Sequence, residues 1–363
     1  MMAVDRGKIV RNCLLWLIII VVVLWADSSA EEHRQQQPIE DFEVTIEGEG
    51  ETLIDAALLD EWLMLHDMHP EGRAMANVDL AKLEEVIAEH SAVSSVNAYM
   101  TYDGHLVVTA TQRKAVARLR IDGYDMYLAA DGYLFPVTDC YLLSLPVITG
   151  SYEALFDSGF VGYHGDSAND MLSSIDAEIT DIEERRVELL KEREAINATL
   201  RGVEKEGVKR EIFMSDNEYR GRVDALKERK AAARRKHAED DRAIELALRA
   251  LDDERLAASL RADHIQSQVD DFSDLVAFVT HIVDSGFWRS EIVQIELTGG
   301  GDDPMQIAIV PRSGNFIVDM GFAENLTSKL STLGEFYDKT LRNVGWETYK
   351  HISLRYDNQV VCK

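Results

Sequence analysis

Cysteine is scarce in this chain. Only three occur in 363 residues, which excludes a disulfide framework. Cys13 lies in an apolar run, leaving Cys140 and Cys362 as one conceivable pair whose Cα separation the sequence does not fix. Positive charge is also short: 38 Lys and Arg stand against 65 Asp and Glu, a formal net charge of -27. That balance removes nucleic acid from the expected partners, because phosphate-binding surfaces need clustered cations. It implies a solvated acidic surface that keeps away from anionic lipid headgroups.

Catalytic signatures are missing too. There is no nucleophile elbow, paired-carboxylate motif or Ser/His/Asp grouping, so no enzyme activity is expected. The glycines of "TGGGDD" do not open a helix carrying Lys and Ser/Thr, so they read as a hairpin turn and not a phosphate loop. His66, Asp67 and His69 in "HDMH" close an amphipathic helix without a third ligand at a recognisable spacing. No metal site and no cofactor are expected.

One long hydrophobic run is present, "CLLWLIIIVVVLWA" from Cys13 to Ala26. Arg6, Lys8 and Arg11 precede it, and Asp27, Glu31 and Glu32 follow it. The positive-inside bias then puts the N-terminus in the cytoplasm and the bulk of the chain across the membrane. Trp16 and Trp25 near its ends favour a retained single-span anchor; "SSA" at Ser28–Ala30 keeps cleavage of a signal peptide open as the alternative.

Beyond the polar linker at 27–40, apolar periodicity begins. Phe42, Val44 and Ile46 alternate as a half-buried strand. Leu53, Ala57, Leu58 and Leu65 recur at helical spacing, and after Asn77 a second helical stripe is formed by Leu80, Leu83, Val86 and Ile87. Val93–Thr101 and Leu106–Thr111 follow as strands joined at Asp103-Gly104. The order strand, helix, helix, strand, strand predicts two helices packed on a three-stranded sheet.

From Ala115 to Gly150, and again from "EIVQIEL" onward, short strands alternate with turn signals such as Asp131-Gly132, and an antiparallel sheet is expected. Between the two sets lies a charged helical block. Leu172, Ile175, Ile179, Ile182, Leu189, Ile196, Leu200 and Val203 make a heptad stripe, with Arg186 and Arg193 in its seam. A second helix is expected from about Asn217 to Val269, giving an antiparallel hairpin. The closing stretch "ETYKHISLRYDNQVV" reads as a strand that no later segment covers, an edge open to another chain.

These parts, in this order, resemble the FtsQ/DivIB family of bacterial cell-division proteins, with a sequence style most like members from the Bacteroidetes. "LVVTATQRKAVARL" resembles the family's domain junction, matching at Arg113, Val116 and Ala117 and departing at Gln112 and Ala115, where Glu and Pro are usual. "AADGYLF", "SLPVITG", "KLSTLGEFY" and "ISLRYDN" resemble further elements, the last being the family's closing strand.

The resemblance implies an α+β chain made of a single membrane helix, a POTRA domain (β-α-α-β-β) and an antiparallel β domain carrying an inserted helical hairpin, a coiled coil. The segments are a cytoplasmic tail 1–12, an anchor 13–26, a linker 27–40, the POTRA domain 41–113, the β domain 114–164 and 271–363, and the insertion 165–270. It further implies a non-enzymatic scaffold of the inner membrane and division septum, bulk in the periplasm, whose partners are FtsB/DivIC-like and FtsL-like membrane proteins. By matching, Leu354, Arg355 and Tyr356, with Val360 and Val361, would form a C-terminal edge that takes an added partner strand. The family's later Gly-Trp contact has no equivalent in Cys362 and Lys363. A POTRA protein of envelope transport and a signal-anchored cell-wall enzyme are the rival readings.

Overall fold

The computed structural model describes residues 36–363 except 40, 102, 122, 138–142, 158, 302 and 357–358. The run 13–26 and the anchoring expected of it, together with Cys13 and Cys140, lie outside the described residues. Among the described residues no helix is long and apolar enough to cross a membrane.

The first unit has the expected order: β1 (Asp41–Glu47), α1 (Ala56–Leu65), α2 (Leu80–Ala88), β2 (Val93–Met100) and β3 (His105–Gln112). Its sheet runs β1-β3-β2, with β1 parallel to β3 and β2 antiparallel to it. Asp55 caps α1 by accepting from the Leu58 amide at 2.8 Å. That start directs Leu59 and Leu63, one turn apart, into the core and leaves Leu65 outside at 77% exposure, so Leu65 is not part of the buried stripe. The cap of α2 is Asp79 and not Asn77, which belongs to a short 3-10 turn; Leu83, Val86 and Ile87 are buried as expected.

The remaining strands are β4 (Ala115–Ile121), β5 (Met126–Ala129), β6 (Tyr133–Pro136), β7 (Val147–Glu153), β8 (Gly162–Tyr163), β9 (Ile292–Gly300), β10 (Asp303–Pro311), β11 (Ile317–Phe322), β12 (His351–Ser353) and β13 (Val361–Cys362). They form one sheet in the order β13-β12-β11-β10-β9-β7-β4-β5-β6-β8. The expectation of an antiparallel sheet is corrected here. β7 is parallel to both β4 and β9, and β12 is parallel to β11. Parallel neighbours need a crossover connection, and helices supply two of these. The helical block lies between β7 and β9, and α6 (Leu326–Phe336) between β11 and β12. At Gly150 the β7–β9 pair is so close that a Cβ would meet the Leu297 carbonyl oxygen at 1.9 Å.

The block itself is α3 (Asp166–Lys205) and α4 (Asp216–Asp284), with the short α5 (Gly286–Glu291) leading into β9. Helix α3 passes Gly202 without breaking. Helix α4, expected to end near Val269, continues for about four more turns. Those turns bury Phe272, Leu275, Phe278, Val279 and Ile282 in the sheet's core, so one continuous helix is both arm and crossover.

The two arms are antiparallel. Arg193 Nε donates to Asp241 at 2.7 Å, Arg261 bonds Glu178 at 2.8 Å, and Arg186 Nε lies 3.4 Å from Asp252. The seam arginines thus find carboxylates across the hairpin. Arg193 holds the Asp241 carboxyl below its ordinary value through their hydrogen bond.

Strand β5 joins the two units. Met126 and Leu128 face the large core, while Tyr127 and Ala129, with Phe135 of β6, belong to the core of the first unit. Arg113 braces the same junction. Its guanidinium sits 3.5 Å from the Tyr133 ring centroid, bonds Asp131 at 2.8 Å and donates to the Ser91 carbonyl at 3.1 Å.

Two predictions follow from this packing. Phe278→Ala should destabilise the protein by about 3–5 kcal/mol, measured by chemical denaturation. Burial raises the carboxyl pKa of Asp271, and the charges of Asp274, Glu324 and Asp270 add to this against an opposing backbone hydrogen bond from Met305. The folded state therefore favours the protonated acid, and stability from this group is lost as pH rises through the raised value. Asp271→Asn should raise Tm at neutral pH, with the gain disappearing near about pH 3. A gain that persists at low pH would show that charge burial is not its source.

Candidate partner-binding edge

Sequence reading places one strand across 347–361, and the structure replaces it with two short ones. β12 covers three residues, and Val361–Cys362 pair antiparallel with it as β13. Just beyond β12 the chain is held by side-chain contacts to Asp319, 34 residues back from Ser353. The Leu354 amide makes the last rung of the β11–β12 ladder, donating to the Asp319 carbonyl at 2.8 Å. Asp319 Oδ2 then takes Ser353 Oγ at 3.3 Å and Arg355 Nε at 3.3 Å, and Arg355 reaches on to Gln306 at 2.7 Å.

Gly321 makes this crossing possible. Its φ is +72°, its amide donates to Asp319 Oδ1 at 2.9 Å, and a Cβ there would come within 3.0 Å of Arg355 Cγ. The Gln359 amide closes the turn on the Tyr356 carbonyl at 3.2 Å.

The open edge is consequently not β12, which already has β11 and β13 beside it. It is the outer side of β13. Lys363 and His351 exchange both backbone bonds, at 2.9 and 3.2 Å. Antiparallel alternation then makes the Ile352–Cys362 pair a non-bonded one, so Cys362 directs its N–H and C=O away from β12. Its half-buried thiol has a raised pKa, through desolvation.

The five candidate residues divide by exposure. Leu354 is core at 2% exposure, and Arg355 is engaged with Asp319 and Gln306. Val360 packs half-buried against the large core. Tyr356 and Val361 reach the surface, at 62% and 41%. Tyr356 borders a cleft of 270 Å³ between α6 and the turn, shared with Asn325, Ser328, Lys329, Thr332 and Gln359. Lys329 lies buried at its floor, its Nζ donating to the Met320 and Phe322 carbonyls at 2.8 and 3.2 Å.

Sequence reasoning missed Asp319 and the outward backbone of Cys362. The Asp-x-Gly of "VDMGF" was the available signal, since it marks a place where a strand's edge is disturbed.

Other titratable groups stand apart from this corner. His66 Nδ1 bonds the Trp62 carbonyl at 2.8 Å and His69 Nε2 bonds Asp60 at 2.9 Å, so the two histidines serve separate contacts. Among the described residues no group of three or more His, Cys, Asp or Glu is placed to hold a metal.

Residues 256–363 match a family model described as FtsQ/DivIB, C-terminal related, and residues 39–111 match a POTRA-like domain. The resemblance to the FtsQ/DivIB family is borne out by these two matches. The first begins inside α4, whose final turns belong to the sheet's core. No curated protein matches the chain.

Asp319→Ala should cost about 1–3 kcal/mol by orphaning the Gly321 amide and Arg355. It should also speed amide exchange across 353–363 more than in the first unit. Equal protection before and after the change would show that Asp319 does not shape the edge.

Proposed function

We propose that this chain is a non-enzymatic scaffold of the cell-division machinery, and that a small membrane-anchored partner of the FtsB/DivIC kind adds a strand along β13. The FtsQ/DivIB and POTRA-like matches support the scaffold role in general. The observation that carries the partner reading is the outward backbone of Cys362 on an edge with no further strand among the described residues. Exposed Tyr356 and Val361 flank that edge and would give side-chain specificity. An FtsL-like protein would join through the same assembly. The run 13–26, read from sequence as a single span, would hold the chain in the inner membrane with its folded part in the periplasm at the septum.

The short β13 suits this role. A two-residue edge strand offers little template for unguided pairing, so a partner must add side-chain contacts to bind. Tyr356 beside its polar cleft is the natural anchor.

The test uses two variants and the FtsB/DivIC-like protein of the same organism. Tyr356→Lys removes the aromatic contact, while Cys362→Pro removes the outward N–H and leaves the inward ladder bonds in place. Each should weaken binding about tenfold or more, equivalent to at least about 1.4 kcal/mol, with cooperative unfolding unchanged. Wild-type affinity in both variants would sink strand addition at this edge.

A further inference from the structure

The hairpin's far end breaks the charge pattern of the whole chain. Residues 201–236 carry twelve Lys and Arg against seven Asp and Glu, while the rest of the sequence carries 26 against 58. Most carboxylates in that stretch are already engaged. Glu204 pairs with Arg234 at 2.9 Å, Glu206 with Arg229 at 3.0 Å, Glu211 and Glu218 with Arg222 at 3.4 and 3.2 Å, Asp224 with Lys227 at 3.1 Å, and Asp216 with Arg210. Arg201, Lys205, Lys209, Arg220, Arg235 and Lys236 are exposed and have no ion-pair partner among the described residues.

At the same end two large apolar side chains stand in solvent. Ile212 is 95% exposed and Phe213 100%, side by side in the loop joining α3 to α4, while the next residue, Met214, is buried. The pairing of Glu204 with Arg234 and of Glu206 with Arg229 sets the end of α3 level with residues 229–234 of α4. The first turns of α4 therefore project about 20 Å further, with the loop beside them. The apolar pair leads, Lys209 and Arg220 lie near it in the chain, and the other free cations form a collar behind.

We propose that this tip is a membrane-contact element that inserts Ile212 and Phe213 into the surface of an anionic bilayer. An apolar pair on a fully exposed loop, with cations behind it, fits a deformable interface where acyl chains take the apolar side chains and headgroups take the charge. The overall acidity of the chain opposes such binding everywhere else, so contact is confined to this end. The inference stands apart from the reading of β13, and failure of one leaves the other intact.

The test keeps the full chain, held in neutral lipid nanodiscs, with Cys13, Cys140 and Cys362 changed to Ser. An environment-sensitive fluorophore is attached at Asn217→Cys beside the tip, or at Glu184→Cys along the arm as a control. Vesicles of phosphatidylcholine alone, or mixed with phosphatidylglycerol, are added. The expected result is a blue shift at 217 with the anionic vesicles only, none at 184, and reversal by salt. Lys209→Ala with Arg220→Ala should weaken vesicle binding about tenfold or more, and Ile212→Ser with Phe213→Ser should abolish the shift.

Absence of a shift at 217, or an equal one with neutral vesicles, would overturn the proposal. So would a shift that grows with protein concentration in the absence of vesicles, which would assign the tip to a contact between proteins.

Discussion

Strand β5 is the constraint on which the arrangement depends. Four consecutive residues, Met126 to Ala129, are buried, alternately into two different cores, so neither unit can be repacked without disturbing the other. Polar contacts brace the same seam. Glu51 of the first unit takes Arg289 at 2.9 Å and the Ser144 amide at 2.7 Å, and Lys114 reaches Asp284 at the end of α4 at 2.7 Å. The first unit, the sheet and the root of the hairpin are thereby oriented by one short strand and its surroundings. The β13 corner lies at the opposite end of the same sheet, and its position is inherited through the strand ladder.

How much of this is legible in the sequence follows from which periodicities survive burial. The first unit reads well because β1 and β3 keep a period of two and α2 keeps its stripe, with Asp103-Gly104 marking the hairpin. The sheet reads less well. β5 is buried at every position, which erases alternation, and parallel pairing leaves no turn signature between partners far apart in sequence. The last turns of α4 look like part of a charged arm until Phe272 and Phe278 are seen to face the sheet. At the candidate edge the motif matched by resemblance places Tyr356 at the surface corner. Asp319 and Arg355, which meet just beyond β12, stand 36 residues apart, a contact no local pattern carries.

The two ends of the large sheet are closed off differently. At β8 the edge is two residues long, and Tyr163 stacks edge-on against Tyr133, 5.1 Å between centroids, beside the buried Arg113. Aromatic cover of this kind discourages a further strand. At β13 the edge is equally short, yet Tyr356 turns outward beside a polar cleft and does not fold back over the ladder. The asymmetry gives the sheet one guarded side and one approachable side.

Helix α4 runs unbroken for 69 residues, about 100 Å, with one end embedded against β4, β10 and α6 and the other in solvent. Mechanically it is a lever whose fulcrum lies near the middle of the sheet. A rotation of about 3° at the root would carry the far end through about 5 Å, by simple proportion over that length. Conversely, a load applied at the tip is delivered to the neighbours of the root, β4, β10 and α6, the last of which walls the Tyr356 cleft. The longest element of the molecule thus reaches, through α6, the corner where the sheet ends.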